Sequence, residues 1–153
     1  MRAPKRRSAK LGNAILEFAI GFGLLLSVFS GVVQFGYAFY VYNTLETAVR
    51  NASRYGAVTQ YNGPTGSGPG GFVERVQKMV LYGTPTPPSG ATPVAPGLTS
   101  ADIRVTVRQD AKGIPNRVTV GVDGYAVKAI FASYTLTNKP QVSFEYQGRY
   151  IAP

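Results

Sequence analysis

Hydrophobic positions in this chain follow three patterns in turn. From Phe18 to Val33 nearly every side chain is apolar or small, and no charged residue occurs between Phe18 and Leu45. About 20 residues at ~1.5 Å each cross a bilayer, so this run is long enough to span one as a helix. It also exceeds the roughly 7–15 residues of a signal-peptide core, and no A-x-A-like site follows it. Beyond it, Leu45, Ala48, Val49, Ala52, Tyr55 and Gly56 recur at helical spacing, which predicts an amphipathic continuation. Glu46 and Arg50 add an i,i+4 pair. One helix from Asn13 to about Thr59 would be roughly 70 Å long.

Residues 62–71, Asn-Gly-Pro-Thr-Gly-Ser-Gly-Pro-Gly-Gly, break that helix. Phe72, Val73, Val76, Met79 and Val80 then predict a short amphipathic helix, and a proline- and glycine-rich loop runs from Gly83 to Gly97. After it the period becomes two. Ile103, Val105 and Val107 alternate with polar residues, as do Val118, Val120 and Val122, and Asp110-Ala-Lys-Gly-Ile-Pro-Asn reads as the turn between two strands. Val142, Phe144 and Tyr146 form a third alternating run. Lys128 to Leu136 fits either a short helix or a loop that buries Ile130 and Phe131. The expected fold is α+β: a long N-terminal helix packed on a small, mostly antiparallel sheet of three to four strands.

Charge refines this picture. The 153 residues carry a formal charge of +9, which invites a nucleic-acid reading. However, Arg2, Lys5, Arg6, Arg7 and Lys10 crowd the first ten positions, and from Asn13 onward eleven basic residues face seven acids. Positive residues stay on the cytoplasmic side of a membrane. Everything after about Tyr42 is therefore expected outside the cytoplasm, with Phe35, Tyr37, Phe39, Tyr40 and Tyr42 forming an aromatic belt at the far interface. Arg104, Arg108 and Arg117, with Tyr125 or Tyr150, suggest an anionic or DNA-binding surface, but such residues are ordinarily the solvated side of a half-buried sheet. Nucleic acid is not the expected partner.

Candidate chemistry is sparse. Histidine and cysteine are absent, which removes the commonest general base, the commonest metal ligand and every thiol nucleophile. The acids Glu46, Glu74, Asp102, Asp110, Asp123 and Glu145 show no acid/base or calcium-loop spacing. No Gly-Lys-Ser/Thr follows the glycine-rich segment, so it is not a phosphate loop. Asn51-Ala-Ser matches a glycosylation sequon but lies on the predicted helix. Neither catalysis nor a cofactor or metal is expected.

The informative residue is Glu17, an acid at the start of an apolar span, where intramembrane carboxylates are costly and usually functional. Its plain alternative is snorkelling at the cytoplasmic edge. A cut after Gly12 would make Glu17 the fifth residue and give Asn13 a free α-amine. Opposite charges could then neutralise one another between neighbouring subunits. Ala19, Gly23, Ser27 and Gly31 recur every four residues, a small-residue stripe that lets helices approach closely in lipid.

A basic leader, a glycine, four residues and then Glu17-Phe18 opening an apolar helix resembles the prepilin signal of type IV pilins. Gly12-Asn-Ala-Ile-Leu-Glu-Phe-Ala-Ile, with Gln34-Phe-Gly-Tyr-Ala-Phe-Tyr and Leu45-Glu-Thr-Ala-Val-Arg-Asn-Ala-Ser-Arg-Tyr-Gly, is similar to the TadE-like family, the pseudopilins or minor pilins of tight-adherence (Flp) pilus systems. The likeness covers about residues 12–57. That family commonly has a proline where this chain has Gly23. The resemblance implies a leader (residues 1–12) removed by a prepilin peptidase, a membrane helix with its extension (13–60), and an extracytoplasmic, periplasmic head (61–153). It makes Gly12 and Asn13 the processing residues and Glu17 and Phe18 the assembly residues. Other pilin subunits, an inner-membrane assembly platform and membrane lipid are the implied partners, and a single-pass inner-membrane protein that supports a pilus for surface adherence is the implied role. A single-pass anchored binding module outside any pilus explains everything except the Gly12–Glu17 register.

Overall fold

The computed structural model describes residues 7–62, 71–129 and 132–149, with side chains from Gly12 onward. The first six residues, most of the glycine-rich breaker, Ile130, Phe131 and Tyr150 lie outside the described residues. Two helices, α1 (Arg7–Val58) and α2 (Phe72–Tyr82), precede five strands: β1 (Ile103–Gln109), β2 (Pro115–Val122), β3 (Ala126–Lys128), β4 (Ser133–Thr135) and β5 (Gln141–Glu145). The chain divides into two compact units, residues 1–37 and 38–153.

The second unit is the α+β head. Its three-stranded sheet has the order β1-β2-β5, antiparallel throughout. The period-two valines of β2 explain its central place: Val118, Val120 and Val122 are wholly buried. They face the apolar stripe of α1, where Leu45, Val49 and Ala52 are equally buried, and Phe72, Val76 and Val80 of α2 complete the core. Burying each such side chain stabilises the fold by about 1.5–3 kcal/mol. Gly56 marks the tightest helix–sheet approach, since a Cβ there would lie 3.2 Å from both Val118 Cγ1 and Val76 Cγ2.

Both sheet edges are covered in part. Ser53 of α1 donates to its own helix at Val49 O (2.8 Å) and across to Val142 O of β5 (3.2 Å). Ser53 is fully buried, whereas Asn51, two positions earlier on the same helix, is exposed. On the other edge, the Gln77 amide of α2 donates to Ser100 O and Ile103 O, each at 3.2 Å. The β1–β2 turn is fixed by Asp110, whose Oδ1 accepts from the Lys112 and Ile114 N–H groups at 2.8 and 2.9 Å. Gly113 supplies the positive φ of 77° that closes it.

One expectation is corrected and another sharpened. The stretch from Lys128 to Leu136, which fits helix or loop by pattern, enters a second hairpin in which β3 pairs antiparallel with β4. The Gly83–Gly97 loop has no regular structure but is tied to the core: Val94 N–H donates to Leu81 O at 2.8 Å, and the Tyr125 hydroxyl donates to Pro96 O at 2.9 Å. Gly83 ends α2 in the left-handed region (φ 71°), its N–H returning to Met79 O at 3.0 Å.

Candidate processing and assembly site

Residues 12–37 belong to the first unit, and α1 holds them in regular helix. The segment contains no proline, and although Gly21, Gly23, Gly31 and Gly36 are poor helix formers, in lipid a helix is one of few ways to satisfy the backbone. The eighteen-residue window that best fits a membrane span has none of its residues buried within the chain. Ile15, Leu16, Phe18 and Ile20 are 61–71% exposed, an arrangement that water disfavours and hydrocarbon accepts.

Gly12, Asn13, Glu17 and Phe18 are all exposed. Gly12 and Glu17 lie five positions apart, so successive turns of α1 bring them to different faces rather than to one pocket. Glu17 forms no ion pair among the described residues. Phe18 stacks on Phe22 one turn later, with ring centroids 5.8 Å apart and planes at 14°. Of the small-residue stripe, Ala19, Gly23 and Ser27 are exposed and Gly31 is half-buried. The Ser27 hydroxyl returns to Gly23 O at 2.9 Å, which satisfies it without a partner chain. A Cβ at Gly12, Gly23 or Gly31 would meet nothing within 4 Å, so packing within the chain does not require those glycines. In the aromatic segment Phe35, Phe39 and Tyr40 are 67–69% exposed, while Tyr37 and Tyr42 are half-buried.

The sheet arginines divide. Arg104 is bound to Asp123 at 2.8 Å, whereas Arg108 and Arg117 sit directly opposite one another on β1 and β2. Tyr125, a suggested partner, is buried and turned toward Pro96.

One junction in the head escapes sequence reasoning. The Tyr146 hydroxyl accepts from Tyr61 N–H (2.9 Å) and lies within donating distance of Thr59 O (2.9 Å) and Arg149 O (3.0 Å). Burial raises this phenol above its ordinary 10.0, and the Tyr61 hydrogen bond acts the other way. Tyr61 packs edge-on against Phe72 at 5.2 Å and receives the Gln109 amide on its own hydroxyl at 3.2 Å. A groove of about 440 Å³ on the same unit, lined by Tyr40, Thr44, Thr47, Met79 and Val94 among others, also had no local signature.

No curated protein and no solved structure matches the chain. A family model does match, over residues 12–54, and its description is TadE-like protein. The match contains Gly12, Asn13, Glu17, Phe18 and the small-residue stripe, and it ends within α1 before the sheet begins. Over that segment the chain is similar to the TadE-like family, and the matched helix is long and apolar enough to cross a membrane.

Proposed function

We propose that this chain is a minor pilin or pseudopilin of a Tad/Flp-type pilus, acting as a structural subunit that initiates or supports assembly for surface adherence. The observation that carries the reading is the family match over residues 12–54, in which the Gly12-to-Glu17 register opens an apolar, unburied helix. A prepilin peptidase cuts after Gly12, leaving Asn13 with a free α-amine. The span stays in the inner membrane with its basic end cytoplasmic and the head periplasmic. Glu17 meets the α-amine of a neighbouring subunit, a pairing that low dielectric strengthens and that removes an otherwise uncompensated charge from lipid. Phe18 and the stripe of Ala19, Gly23, Ser27 and Gly31 provide the contact surface for other pilin helices and the assembly platform. The head, at more than half the chain, favours a minor role over that of a major fibre subunit.

Intact mass of the membrane-extracted protein, expressed with and without a prepilin peptidase, tests this. A product beginning at Asn13 only when the peptidase is present supports the reading. Full-length protein in both cases, beside a control substrate that is cut, would replace it with a membrane-anchored binding module.

A further inference from the structure

The solvent face of the three-stranded sheet sets two like charges side by side. Arg108 and Arg117 are partners in register across β1 and β2, both exposed, and neither forms an ion pair among the described residues. Cross-strand partners stand about 5 Å apart at Cβ, and like charges in that relation destabilise a ladder. Two rows away the same face resolves its charge, because Asp123 binds Arg104 at 2.8 Å. Glu145 stands opposite Arg117 on β5 and offsets part of that repulsion, although no ion pair joins the two among the described residues. An acid bound between the two guanidinium groups would remove the remaining repulsion and engage both planar forks.

We propose that this face binds an acidic polysaccharide, with Arg108 and Arg117 gripping its carboxylates. The neighbouring row suits a sugar. Thr119 and Ser143, hydrogen-bonded through their hydroxyls at 2.7 Å, offer donors and acceptors beside the arginines. Single-stranded nucleic acid fits less well, since base recognition calls for aromatic platforms. The face rows of β1, β2 and β5 contain no aromatic residue, and Tyr125 is turned inward. The inference does not depend on pilus assembly.

The test uses full-length protein in detergent and a fluorescent oligogalacturonate, with neutral dextran and a DNA oligonucleotide as competitors. Arg108→Glu creates an opposite-charge pair with Arg117, so it should raise the melting temperature while weakening glycan binding about tenfold or more. Glu145→Gln removes the competing acid and should tighten binding about two- to fivefold. A misfolded protein would not give these opposite directions. Equal binding by wild type and Arg108→Glu overturns the proposal. So does displacement by DNA at far lower concentration than unlabelled glycan, which would assign the face to nucleic acid.

Discussion

At the residue scale, open space around a side chain separates roles that share one helix. A Cβ at Gly12 meets nothing within 4 Å, so the fold tolerates replacement there. Gly12→Ala or a bulkier change should therefore leave helix content intact by circular dichroism and still block removal of the leader, read as retained precursor on a gel. Glu17→Ala should be cut normally yet impair assembly; full piliation in that strain would disprove the charge pairing. Tyr146 is the opposite case, crowded and multiply bonded. Tyr146→Phe removes the hydroxyl that meets Tyr61 N–H, Thr59 O and Arg149 O, while Tyr61 N–H keeps Arg149 O at 3.2 Å, and should cost about 0.5–1.5 kcal/mol in denaturant unfolding. Its pH dependence follows from the raised phenol. The folded state holds that proton more tightly than the unfolded chain, so its contribution is complete below about pH 10 and is lost as pH rises through the folded value. The alkaline fall in stability should thus be shallower in Tyr146→Phe.

At the scale of elements, what could be read in advance depended on how local its cause was. The strands β1, β2 and β5 follow from alternating apolar residues, and α2 from its i, i+4 stripe of Phe72, Val76 and Val80. The Gly12–Glu17 register is legible because it is covalent spacing. By contrast, β3 and β4 are three residues each, too short to establish a period. The Tyr61–Tyr146 junction joins residues 85 positions apart, and no local pattern encodes such a meeting. Arg108 and Arg117 were visible as basic residues, but only the pairing register sets them face to face. The α1–sheet contact is tested at Gly56. Gly56→Leu would drive a side chain into Val118 and Val76 and should cost about 2–4 kcal/mol, measured by chemical denaturation. A destabilisation below ~0.5 kcal/mol would mean that the helix has room the structure does not show.

For the molecule as a whole, the exposed apolar surface of residues 15–35 sets its behaviour in the cell. The protein should resist extraction from membranes by alkaline carbonate and enter solution only with detergent; release by carbonate alone would contradict a spanning helix. Replacing Leu24 and Leu25, 70% and 63% exposed, with two arginines should shift it toward the soluble fraction, since a charge at mid-bilayer costs about 2.5–3.5 kcal/mol.

The seating of β5 against the centre of the sheet also governs the order of events during synthesis. The first helix leaves the ribosome early, but Val142 O, which receives Ser53 from 89 positions earlier, and Gln147 N–H, which reaches Ala57 O at 2.8 Å, are made later. Until they arrive, one edge of β2 has no neighbour and the close of α1 has no clasp. The head therefore completes only after residues 141–149 have emerged from the ribosome, and a nascent chain stalled before that point offers an open strand edge to proteases and chaperones.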